Sequence, residues 1–153
     1  MTLRILHRPT AVFAFCLCSG LALAHSGATG IVKERMDAMK DIAAQMKQIG
    51  AMIKGERAYS AAVAASAAAV IAEHAALMPS QFPDGSNEHP SEALPVIWSD
   101  WDRFTQSADE LTIAATTLSD VVGRATSVEE IQVQFTAVGR TCSACHEAFR
   151  KAR

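Results

Sequence analysis

The chain has 153 residues, which allows one domain. It carries 14 basic and 16 acidic side chains, a formal charge of −2. That balance gives no basis for binding nucleic acid. Residues 1–24 read as a secretory signal. Arg4 and Arg8 form a positive start, Ala11 to Leu17 an apolar run, and Ala22-Leu23-Ala24 a small-residue cleavage site. The run falls short of the ~20 residues that span a bilayer. Cleavage leaves residues 25–153 as a single exported domain, with 12 basic against 16 acidic side chains. Export places it in the periplasm. The rest of the chain is expected to hold no second apolar segment long enough to span a membrane. Cys16 and Cys18 leave with the signal, so the mature chain keeps Cys142 and Cys145. His25 becomes the new N-terminus and is expected to be solvated.

From Ile31 to Lys54, apolar residues recur at Met36, Met39, Ile42, Met46, Ile49 and Ile53. Steps of three and four put them on one helix face, and Gly55 ends the helix. Ser60 to Leu77 is almost all alanine, the best helix former, and small enough for close helix packing. Met78 to Pro95 holds four of the five prolines together with Gly85, Ser86 and Asn87, and reads as a long loop. Helical spacing resumes at Val96 and runs to Val122 through Ile97, Trp101, Phe104, Ala108, Leu111, Ala115 and Leu118, with Gly123 as a stop. Ser127-Val128-Glu129-Glu130 has the form of a capping box, opening a last helix from Val128 to about Lys151. The expected fold is all-α. It is an antiparallel up-down-up-down four-helix bundle with tight first and third connections and a long second one.

The last helix contains Cys142-Ser143-Ala144-Cys145-His146. Two thiols three residues apart can each add to one vinyl group of a haem, and the histidine that follows can ligate its iron, so C-x-x-C-H reads as c-type haem attachment. At i, i+3 and i, i+4 spacing the three side chains share one face. A thioredoxin-like redox pair prefers the start of a helix after a strand, and a zinc site wants a second ligand pair; neither context exists here. A disulfide is the remaining alternative in an oxidising compartment. On spacing alone, Met36, Met39 and Met46 are candidates either for core packing or for a second iron ligand.

A haem motif in the last helix of a four-helix bundle resembles the class II c-type cytochromes, the cytochrome c′ family. The resemblance covers residues 30–151. It rests on Arg35 with Met39 one turn later, Phe82-Pro83-Asp84-Gly85-Ser86, Ile97-Trp98, and Gly139-Arg140-Thr141-Cys142-Ser143-Ala144-Cys145-His146-Glu147-Ala148-Phe149-Arg150. It implies one haem c held by Cys142 and Cys145, with His146 as proximal iron ligand. It also implies a distal residue at Met39, with Met36 in reserve, and a propionate partner at Arg35. Methionine at the distal position marks the low-spin branch; an apolar residue there leaves a five-coordinate iron that binds nitric oxide or carbon monoxide. The expectation is therefore a periplasmic electron carrier, not an enzyme. It would serve redox partner proteins and could form a homodimer through its first two helices. Arg150, four residues after His146, is expected either near the proximal ligand or solvated at the helix end. His74 and His89 are expected at the surface.

Overall fold

The computed structural model describes residues 27–152. The expected signal at 1–24 and His25 lie outside the described residues.

Helix α1 (Gly30–Ile53) buries Arg35, Ala38, Ile42, Ile49 and Met52. It stops where the stripe predicts: Gly55 takes a left-handed φ of +72°, which costs glycine nothing, and the chain reverses. Helix α2 (Ala61–Leu77) starts at Ser60, whose Oγ accepts the Val63 N–H at 3.4 Å. Its buried stripe is Ala64, Ala67, Ala68, Ile71 and Ala75. These methyl-sized contacts let α2 lie close against α4 (Trp101–Val122), which answers with Phe104, Ala108, Leu111, Ala115 and Leu118. The expectation about membrane segments needs correction. Ala61–Gln81 is long and apolar enough to cross a bilayer, with a mean hydropathy of 1.6. The apolarity comes from alanine, and its buried stripe is committed to the bundle.

The segment read as one helix from Val96 to Val122 is two. Helix α3 (Val96–Ser99) is a single turn, and Asp100, at φ −130° and ψ 53°, breaks it from α4. Trp98 explains the break: its indole Nε1 donates to the carbonyls of Phe82 and Pro83, each at 3.0 Å, so this turn is aimed at the long loop. The capping box does not form. Glu129–Ile131 is a 3-10 turn without a side-chain cap, Glu130 instead accepts the Thr126 hydroxyl at 2.9 Å, and α5 covers Gln132–Phe149. Helix α5 is also shorter at its end than expected. Arg150 is extended, and pairs with Ala93 in an antiparallel bridge.

Helices α1, α2, α4 and α5 form the four-helix bundle. α1 packs on α2, α2 on α4, and α4 on α5. The core runs between them through Ile49, Ile71, Ile97, Phe104, Leu118, Ile131 and Val138. The pair that would close the ring, α1 and α5, is not closely packed.

Candidate cofactor site

Cys142 and Cys145 lie on α5 as free thiols, half-buried against the core, and His146 follows on the exposed side of the same helix. The disulfide alternative is thus not taken. Burial holds the Cys142 thiol above its usual range. Burial first, and then the neighbouring Cys142, push Cys145 up to about 11. Both stay as protonated thiols at neutral pH.

The seam these residues face is set by two contacts on α1. Asp41 bonds His74 of α2 at 3.1 Å, fixing the flank of α1 that faces α2. On the other flank α1 meets α5: a Cβ placed on Gly50 would stand 3.5 Å from Phe135 Cζ. Eleven residues separate Gly50 from Met39, and eleven separate Phe135 from His146. In an α-helix eleven residues are about three turns plus 20°, and about 16 Å of rise. In two antiparallel helices that meet at Gly50 and Phe135, Met39 and His146 therefore stand at one level of the same seam. Met39 is half-buried and packs on the core; Met36 is half-buried but lies outside the core cluster; Met46 packs nearer the Gly50 contact.

Arg35, one turn before Met39, is only 4% exposed. Its guanidinium donates to Ser86 Oγ at 3.0 Å, Ser91 Oγ at 2.7 Å, the Gln81 carbonyl at 3.5 Å and the Ser86 carbonyl, and it stacks over the Phe82 ring at 4.5 Å. Desolvation lowers its pKa, and among the described residues no carboxylate pairs with it. A buried cation held only by neutral acceptors is costly, and a nearby anion offsets that cost. This is the environment a haem propionate suits. The donor set suits haem as a whole: two free thiols, an imidazole one residue on, a thioether at the same level, and a buried cation without its anion.

Arg150 sits beside the backbone of His146 and is ion-paired, not solvated. Its Nε donates to Glu92 at 2.7 Å, and its backbone N–H reaches the His146 carbonyl at 3.2 Å. His89 is exposed as expected, while His74 is half-buried at its Asp41 bond. Ser91 and Glu92 were not found from sequence, and Ser86 only as part of the loop motif. They act through residues 51 to 58 positions away, which no local pattern signals. Among the described residues no three His, Cys, Asp or Glu side chains converge on a metal site.

Comparison with known proteins agrees with the four-helix fold and with a covalently attached haem. A family sequence model described as Cytochrome C′ matches residues 30–150. A cytochrome c-554 from Cereibacter sphaeroides is 35% identical over 78 residues, 49% of this chain and 57% of that protein, so the match spans little more than half of the relative. The fold is similar to that of cytochrome c′ from Rhodopseudomonas palustris, at a TM-score of 0.75 and 28% identity, covering 82% of this chain and 99% of that one. It is also similar to the nitric oxide complex of a cytochrome c prime variant from Alcaligenes xylosoxidans, at a TM-score of 0.71 and 29% identity, covering 80% and 94%.

Proposed function

The chain belongs to the cytochrome c′ family, whose cofactor is a covalently attached haem c, and we propose that it is an exported mono-haem electron carrier with iron ligated by His146 and Met39. Haem, when bound, supplies reversible one-electron exchange between ferric and ferrous iron. The chain's own residues do the rest. Cys142 and Cys145 tether the group to α5, and His146 offers its imidazole to the iron. The core behind α5 keeps water from one face. Met39 offers a soft thioether from α1, which favours the ferrous state and raises the reduction potential. Arg35 neutralises a propionate at the edge of the site.

The observation that supports this reading is the contact of α1 with α5 at Gly50 and Phe135, from which Met39 and His146 each lie eleven residues along their helices. The test is Met39→Ala. A shift of the ferric haem from low-spin to high-spin in the optical spectrum is the expected result; a haem that stays low-spin means the ligand is another residue, Met36 first.

A second reading has its own support in the similar Alcaligenes xylosoxidans protein, solved with nitric oxide bound. In it the iron of this chain is five-coordinate and takes up small gases beside an unligated Met39. Carbon monoxide added to the reduced protein separates the two: rapid stoichiometric binding favours the gas-binding reading. Export to the periplasm, redox partner proteins there, and a homodimer across the exposed Ala62, Ala69 and Ala76 face of α2 belong to the same proposal. Sedimentation at micromolar concentration reads the last of these.

A further inference from the structure

We infer that Ser91 and Glu92, in the loop between α2 and α3, are positioning residues that set the separation of α1 and α5 across the haem seam. The inference rests on haem lying in that seam; it does not require Met39 to be a ligand.

Two arginines flank the seam. Arg35 lies four residues before Met39 on α1, and Arg150 lies four residues after His146, just past the end of α5. Consecutive loop residues grip them. Ser91 Oγ accepts from Arg35 Nη2 at 2.7 Å, and Glu92 Oε2 accepts from Arg150 Nε at 2.7 Å. Ser91 is itself fixed: it is 5% exposed, its N–H donates to the Glu88 carbonyl at 2.8 Å, and its Oγ also accepts from the Ala93 N–H at 3.1 Å. The loop is then zipped onto the residues after His146. Leu94 N–H donates to the Phe149 carbonyl at 3.0 Å, Lys151 N–H to the Glu92 carbonyl at 2.8 Å, and Lys151 Nζ to the Ser91 carbonyl at 3.3 Å.

At this end of the bundle α1 and α5 are not closely packed against each other, so direct helix contact does not fix their spacing. The loop does so instead, as a strap with one end on each helix. The grips made by Ser91 and Glu92 are hydrogen bonds to charged donors, stronger than neutral ones and more costly to leave half-made; Ser86 adds its own to Arg35. Losing either grip loosens the distal helix against the proximal one, while the bundle core stays intact.

The test compares the haem-loaded variants Glu92→Gln and Ser91→Ala with Ser119→Ala. In the last, the lost bond joins α4 to the Ala65 carbonyl of α2 at 3.3 Å, away from the seam. The readouts are carbon monoxide association with the ferrous protein and the spin state of the ferric haem. Glu92→Gln and Ser91→Ala are expected to speed association about tenfold, the change that losing one charge-assisted hydrogen bond corresponds to. Ser119→Ala is expected to leave it unchanged, and Glu92→Asp, which keeps the charge, to retain most of the parent rate. Unchanged rates in both strap variants, or an equal rise in Ser119→Ala, overturn the inference. If Glu92→Gln fails to fold, Ser91→Ala alone decides. A parent protein already high-spin in the ferric state defeats the Met39 assignment, and the strap is still read from the association rates.

Discussion

Tyr59 is the one tyrosine of the chain, and its hydroxyl is buried without a hydrogen-bond partner among the described residues. Burial first, and then the charge of Glu130, raise its pKa above the usual 10. The sign follows from linkage. The folded state holds the phenolic proton more tightly than the unfolded one. The stability this contributes is fully present below pH 10 and is lost as pH rises through the folded value. Tyr59→Phe removes the unpaired group while keeping the ring. It should stabilise the haem-loaded protein by about 1 kcal/mol in denaturant titration and remove the phenolate transition from its alkaline difference spectrum. A destabilised variant would mean that the hydroxyl has a partner. The residues of the site differ in how far sequence exposes them. Cys142, Cys145 and His146 are legible because their chemistry is local, three side chains within five positions on one helix. Arg35 is legible only as a charge one turn before Met39; its burial comes from Phe82, Ser86 and Ser91, brought to it by the fold.

Phe104 joins the two sides of the site at the scale of elements. It is 2% exposed in α4, with its ring 4.8 Å from Phe82, which underlies Arg35, and 5.4 Å from Phe149, three residues after His146. Phe104→Ala should cost about 3–5 kcal/mol in guanidinium unfolding of the haem-loaded protein, the range for an aromatic deleted from a packed core. A cost below about 1 kcal/mol would show that the cluster is loosely packed there. Hydrophobic spacing located all four bundle helices, because burial on one face is what spacing records. It did not record the break at Asp100, since Ile97, Trp101 and Phe104 keep helical steps across it. Nor did it record that Glu130 turns to Thr126 instead of capping α5 with Ser127. Both departures are set by side-chain hydrogen bonds, which compete locally with the helix and leave the hydrophobic pattern unchanged.

The whole molecule is a bundle closed on three seams and open on the fourth. α2 and α4 supply a tight alanine-lined half, while α1 and α5 meet at Gly50 and Phe135 without packing closely. The open seam brings residues more than a hundred positions apart into one arrangement: a tether and imidazole from α5, a thioether and a buried cation from α1. The family fixes the cofactor; the role turns on whether Met39 closes the sixth position of the iron. The most direct measurement is the electron paramagnetic resonance spectrum of the ferric, haem-loaded wild-type protein at neutral pH. Ligation by His146 and Met39 predicts a low-spin signal, and a high-spin signal would contradict it.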